Sequence, residues 1–244
     1  MVAHCLLVET GSGLVLVDTG FGLDDVRDPP GRMGYAMMVG CAPRCDASEC
    51  AVRQVEALGF SADDVTDIVV THLDLDHAGG LPDFPRAKVH VFGAELDAAM
   101  ARASVIERER YKPAHWAHGP DWVRHGVGGD RWMGFASVRA ITDRAPEVAM
   151  VPLHGHTRGH VAVAVQDGDG WLLHAGDAYF SAGEMRDPPY CPPAFRVFQR
   201  AVAIDDRERR ANQERLRVLA AGHPEVRVFC AHDAEEFDRM ATGA

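Results

Sequence analysis

The sequence predicts an α/β protein with two β-sheets packed face to face and helices outside. Three observations carry this. Short apolar runs rich in Val, Ile and Leu recur along the chain and read as strands. They come in two series, each closed by helical segments, with no linker, short repeat or low-complexity stretch between them. And 244 residues, 47% of them hydrophobic, suffice for one large domain spanning residues 1–244 with a substantial core.

The elements follow in order. His4 to Glu9, the turn Gly11-Ser12-Gly13 and Leu14 to Val17 read as a β-hairpin ending at Asp18-Thr19-Gly20. Residues 27–46 are rich in Pro, Gly, Met and Cys and read as a long loop. Asp46 with Glu49 forms a capping box for a helix ending near Gly59. A strand over Asp67–Thr71 follows, then one over Lys88–Phe92, then a helix from about Ala94 to Arg110. Glu107, Arg108, Glu109 and Arg110 read as its solvated face. Residues 111–135 form an insertion of different texture, with Trp and His among Gly and Pro. Strands near 137–142, 148–151, 161–166 and 171–174 follow, then a charged helix from about Ala201 to Ala221. The strand Val226–Phe229 and a short helix close the chain.

The densest chemistry lies in His72-Leu73-Asp74-Leu75-Asp76-His77, directly after the apolar run Ile68-Val69-Val70 and before Ala78-Gly79-Gly80. Alternation in an extended segment puts His72, Asp74 and Asp76 on one side, and His77 breaks the pattern where the chain turns. Imidazoles and carboxylates at the end of a buried strand are costly to desolvate, and a bound cation is the usual compensation. The theme of a strand end followed by a metal-capable residue recurs at Gly155-His156-Thr157-Arg158-Gly159-His160, at His174-Ala175-Gly176-Asp177 and at Ala231-His232-Asp233.

Bulk properties narrow the function. A formal net charge of −11 argues against a nucleic-acid partner. The start of the chain reads as a strand rather than an export signal, and no apolar run reaches membrane-spanning length. The expectation is a cytoplasmic protein acting on a small molecule, without a membrane partner and with a homodimer left open. Cys41, Cys45 and Cys50 cluster in one loop without zinc-knuckle spacing and read as reduced thiols.

Taken together and in this order, Asp18-Thr19-Gly20 and the four strand-end motifs resemble the metallo-β-lactamase superfamily from the opening hairpin to His232. The resemblance implies an αββα sandwich of two mixed sheets flanked by helices. It implies His72 and His156 as ligands of a first metal, Asp76, His77 and His232 as ligands of a second, and Asp177 as the carboxylate bridging both. Asp18 and His160 would support those ligands from behind. One position departs from the commoner HxHxDH pattern: Asp74 replaces the second histidine. It either ligates the first metal or hydrogen-bonds a ligand or water. Its hard oxygen makes iron or manganese better competitors with zinc, and a carboxylate there resembles the flavodiiron branch.

The implied activity is metal-dependent hydrolysis. Two divalent metals, zinc foremost, share a hydroxide that attacks a small ester, lactone or thioester carbonyl. Asp76 orients the nucleophile, and Tyr179 is a candidate oxyanion donor. The alternative is an iron-dependent oxidoreductase acting on oxygen or a sulfur species. Tyr35 is a candidate for the pocket rim, and His115, Trp116, His118 and Trp122 for a pocket wall over the metals; the other reading of these four is aromatics packing an irregular insertion against the core.

Overall fold

The computed structural model describes residues 1–126, 128–129, 131–135, 139–142 and 145–242. The chain divides into two compact units. The N-terminal unit comprises Cys5–Val91 and Leu96–Arg124, and the C-terminal unit Met1–His4, Phe92–Glu95 and His125–Ala244.

The N-terminal unit carries a mixed five-stranded sheet in the order β1-β2-β3-β4-β5. The strands are β1 (Leu6–Thr10), β2 (Gly13–Val17), β3 (Val65–Val69), β4 (Lys88–Phe92) and β5 (Asp121–His125). β1 and β2 form the expected hairpin, Leu6 opposite Val17. β2, β3 and β4 run parallel, with Val17 opposite Val69 and Val69 opposite His90. The apolar sides of these strands, through Leu14, Leu16, Ile68 and Val89, bury against helices whose inner residues include Val52, Val55 and Leu96. The insertion contributes to this unit: β5 is its fifth strand, and Tyr111 and Trp116 belong to its core. Positions 127 and 130 of the insertion lie outside the described residues.

Of residues 27–46, only 41–46 are a continuous loop. The rest hold the end of α1 (Leu23–Arg27), then α2 (Pro29–Met33) and α3 (Tyr35–Gly40). Proline in the first turn of α2 has no needed N–H to lose, and Asp28 caps the helix by accepting from the Gly31 N–H. α4 (Ala51–Ala57) and the four-residue α5 (Leu75–Ala78) follow. The single helix expected over 94–110 is two, α6 (Gly93–Ala101) and α7 (Val105–Arg110). Arg102 takes a left-handed φ of 44° between them. Ser104 then starts α7 through a capping box: its Oγ accepts from the Glu107 N–H at 3.1 Å, and Glu107 Oε2 accepts from the Ser104 N–H at 3.0 Å. The expected solvated face is also corrected, since Glu107 and Arg110 are buried.

The C-terminal unit carries the second mixed sheet, in the order β10-β9-β8-β7-β6. It consists of β6 (Arg139–Thr142), β7 (Ala145–Pro152), β8 (Val161–Asp167), β9 (Gly170–His174) and β10 (Val226–Phe229). Positions 137 and 138 of the strand expected near 137–142 lie outside the described residues. β6 to β9 form an antiparallel meander, while β10 joins β9 in parallel, Phe229 opposite His174. The helix expected over 201–221 is again two, α8 (Pro193–Val202) and α9 (Asp206–Gly222), the second capped by Asp205. α10 (Ala234–Thr242) closes the described chain. Among the described residues no helix is long and apolar enough to cross a membrane.

Candidate functional site

In the N-terminal unit the ligand-type residues leave the ends of a parallel strand pair. β2 stops at Asp18, whose φ of 56° is left-handed and turns its carboxylate back toward β3. There Oδ1 accepts from the Thr71 N–H at 2.7 Å, and Oδ2 accepts from the Thr71 hydroxyl at 2.8 Å. Oδ2 also lies 2.8 Å from Nδ1 of His77. A carboxylate only accepts, so His77 carries its proton on Nδ1 and its lone pair on Nε2. Thr71 Oγ1 is also 3.0 Å from Nδ1 of His72. One buried aspartate thus organises the threonine and both histidines around it. The burial of Cys5 and the charge of Asp18 push the neighbouring Cys5 thiol up to about 12, keeping it protonated.

The turn into α5 is held by close backbone contact. Thr19 N–H and Oγ1 both donate to the His77 carbonyl, at 2.8 and 2.9 Å. A Cβ at Gly80 would stand 2.6 Å from the Thr19 carbonyl oxygen, which accounts for glycine after His77-Ala78. His72 and His77 rings lie 4.0 Å apart between centroids. His72 Nε2 is 3.4 Å from Asp74 Oδ2, and His77 Nε2 is 4.0 Å from Asp76 Oδ1. The unit therefore brings together His72, Asp74, Asp76 and His77 with Asp18 behind them.

The C-terminal unit repeats the device with another parallel pair. Beyond β9 and β10, Ala175 donates to the Phe229 carbonyl at 2.7 Å and Ala231 to the Gly176 carbonyl at 3.1 Å. Asp177 and His232 emerge side by side. Asp177 lies between two imidazoles, Oδ1 at 3.0 Å from His232 Nε2 and Oδ2 at 3.4 Å from His156 Nε2. His232 Nδ1 donates to the Val2 carbonyl at 2.8 Å, which leaves its lone pair on Nε2. His160 has both nitrogens engaged: Nδ1 donates to the Leu153 carbonyl and Nε2 accepts from the Asp177 N–H, each at 2.9 Å. The loop carrying His156 is fixed by Gly155, at φ 127°, where a Cβ would stand 2.3 Å from the Arg209 nitrogen. Glu95, fully buried, accepts from the Gly159 N–H at 3.0 Å.

In both clusters imidazole Nε2 atoms face carboxylate oxygens in buried surroundings. That nitrogen–oxygen donor set suits zinc, iron or manganese, so the residues fit a divalent metal.

Other expected residues fall elsewhere. Tyr179 is fully buried, and its hydroxyl donates to Glu236 at 3.0 and 3.1 Å. Burial, then Cys230 and Glu236, push the phenol well above its ordinary value. With its proton committed to Glu236, Tyr179 ties the segment after Asp177 to α10 instead of offering an oxyanion donor. His115 is fully buried, its Nε2 3.0 Å from Asp25 Oδ1, with Arg32 Nε at 2.9 Å from the same oxygen. Burial pushes the Asp25 carboxyl up, but His115, the Gly22 N–H and Arg32 together hold it below its ordinary value. Trp116 is 8% exposed in the N-terminal core, and Trp122 packs partly against that core. For these three the packing reading replaces the pocket wall. His118 and Tyr35 are exposed. The cysteines are free thiols, with Cys41 exposed and Cys50 buried.

Sequence reasoning missed Thr71, Arg110 and Glu236. The Ser104-x-x-Glu107 pattern was the available signal for α7 and hence for where Arg110 points.

The family model described as the metallo-beta-lactamase superfamily matches residues 1–232. The chain is 44% identical over 236 residues to a probable metallo-hydrolase of Mycobacterium tuberculosis, covering 96% of this chain and 76% of that protein. It is 24% identical over 234 residues to an N-acyl homoserine lactonase of Bacillus thuringiensis, covering 95% of this chain and 81% of that protein. Among solved structures it is similar to an N-acyl homoserine lactone hydrolase with N-hexanoyl-L-homoserine bound at its catalytic metal centre. The TM-score is 0.70 at 21% identity, over 96% of this chain and 82% of that one. A dizinc quorum-quenching lactonase gives 0.65 at 20% identity, over 94% and 72%. At these identities the structures speak for the fold, two mixed sheets flanked by helices. The strand-end motifs, the fold and the matched length agree: this chain belongs to the metallo-beta-lactamase superfamily, a superfamily of metallo-hydrolases.

Proposed function

We propose that the protein is a binuclear metal-dependent hydrolase that opens a small lactone, with esters and acyl thioesters as related substrates. One observation carries the reading: in each unit a parallel strand pair delivers buried imidazoles against carboxylates, in the family's order. His72 and His156, with Asp74, would hold a first metal, Asp76, His77 and His232 would hold a second, and Asp177 would serve both. The bound metals, zinc foremost, supply Lewis acidity and lower the pKa of water enough to give a nucleophile near neutral pH.

The chain's own residues do the rest. Asp18 and the Val2 carbonyl hold His77 and His232 in the ligating tautomer. Asp76, with 20% of its side chain exposed, is the more open of the two motif carboxylates and orients the incoming water. His160 anchors the Asp177 backbone. Lactones are favoured because the 24%-identical relative named above is a lactonase.

The test is metal analysis of protein purified without added metal, followed by turnover of N-acyl homoserine lactones, other lactones and acyl thioesters. The expected result is two equivalents of metal, mainly zinc, and lactone opening that a chelator removes and zinc restores. Protein that binds no metal would overturn the reading. Stoichiometric iron with oxygen consumption and no hydrolysis would install the oxidoreductase instead, which the hard oxygen of Asp74 favours.

A further inference from the structure

Arg110 ends α7, and its side chain is only 6% exposed. Its partner is Asp74: Nη1 lies 3.1 Å from Oδ1 and 3.0 Å from Oδ2. The same Oδ2 is 3.4 Å from Nε2 of His72. Asp74 therefore stands between a guanidinium and a ligand-type imidazole.

The position of Asp74 in the backbone makes this pairing informative. Asp74 is the N-cap of α5, where an aspartate ordinarily swings round to accept from the helix N–H groups. It makes no such bond here. Its carboxylate is turned toward Arg110 and His72 instead. The delivery of Arg110 is equally specific. The Ser104–Glu107 capping box starts α7, Glu107 is itself buried, and the following residue, Tyr111, is fully buried. A cation in the last turn also suits the helix dipole.

We infer that Arg110 is a positioning residue for metal binding at the first metal position. This rests on the metal reading proposed above. Position 74 is where the sequence departs from the HxHxDH pattern. An aspartate there adds a negative charge that a neutral imidazole lacks. Arg110 adds the opposite charge, so Asp74 and Arg110 together carry the net charge of the histidine they replace. The guanidinium also sets the rotation of a carboxylate that would otherwise turn to cap α5. Metal-binding carboxylates depend on such outer partners for orientation.

The test compares zinc affinity, by competition with a chromogenic chelator, in the wild type, Arg110→Met, Arg110→Lys, Asp74→His and the double variant Asp74→His/Arg110→Met. Melting of the metal-free proteins checks folding. Arg110→Met should lose about 10–100-fold in affinity, as loss of an outer partner does. Arg110→Lys keeps the charge without the fork and should lose less. In the Asp74→His background, Arg110→Met should change affinity by less than about threefold, because the partner it positions is gone. A wild type that binds no zinc fails the metal reading itself. A wild type that binds zinc, with Arg110→Met binding as tightly or losing equally in both backgrounds, overturns the inference alone. If Arg110→Met does not fold, Arg110→Lys in the two backgrounds carries the same comparison.

Discussion

The two units support their ligand-type residues by different means. In the N-terminal unit the groups that hold the ligand-type side chains are themselves side chains: the Asp18 carboxylate holds Thr71 and His77, and Arg110 holds Asp74. In the C-terminal unit the supports touching His232 and Asp177 lead to backbone. His232 donates to the Val2 carbonyl, and His160 links the Leu153 carbonyl to the Asp177 N–H. A backbone carbonyl neither titrates nor disappears on substitution, whereas a carboxylate does both. The N-terminal cluster is thus the tunable half. The departure from the family pattern, Asp74, falls in that half, where a side chain was available to compensate it.

The largest effect expected lies where neither kind of support helps. Asp177→Ala removes the group that reaches both His156 and His232. It should lose at least one metal equivalent and lower turnover by at least roughly 10³-fold, the upper end of what losing one transition-state stabiliser costs. Retention of full metal content and normal turnover would remove Asp177 from the bridge and leave the C-terminal cluster purely structural. Next in size, Trp116→Ala should cost about 3–5 kcal/mol in urea unfolding while leaving metal content unchanged, because Trp116 is core. A shift in substrate preference with stability intact would restore Trp116 to the pocket wall.

Trp116, whose two readings the sequence leaves open, shows where legibility stopped. The strands β2 and β8 and the strand-end motifs stand out because burial on both faces writes continuous apolar runs, and polar residues ending such runs are conspicuous. What side chains meet across long sequence separations leaves no such trace. Arg110 and Asp74 are 36 residues apart, and His115 and Asp25 are 90 apart. A charged run at helical spacing reads as solvent-facing whether or not one member turns inward. The short helices α1 to α3 were hidden for another reason. Proline and glycine mark loops on average, yet proline in a first turn starts a helix.

His4 adds a pH-dependent contribution to the C-terminal unit. His4 packs against Phe229 and Phe237, with ring centroids 4.8 and 5.0 Å away. Burial, then the His174 charge, lowers its imidazole from 6.5 to about 4. Between those values the unfolded chain binds the proton and the folded chain does not. The stability is therefore full above pH 6.5 and falls as pH drops toward 4, by about 3 kcal/mol in total. His4→Phe keeps the ring packing and removes the proton site. Its urea midpoint should fall less than that of the wild type between pH 7 and 4.5, and parallel curves would place the acid sensitivity elsewhere.

The smallest effect gives the sharpest test of the comparison. Asp18→Asn nearly preserves shape but replaces one acceptor oxygen with a donor. With the amide nitrogen toward His77, the Nδ1–H no longer has an acceptor, and the ring is driven to the tautomer protonated on Nε2. The lone pair then sits on the wrong nitrogen for the second metal. With the amide nitrogen toward Thr71 instead, it meets the Thr71 N–H, and that bond is lost. Either way the expected cost is about 10–100-fold in metal affinity, about 1.4–2.7 kcal/mol. The matched change in the other unit is Val2→Ala, which leaves in place the carbonyl that His232 uses. It should alter metal affinity by less than about twofold. Chelator competition on the two variants reads the difference directly. Equal losses would mean that both clusters are set by general packing, and the contrast between side-chain and backbone support would fall.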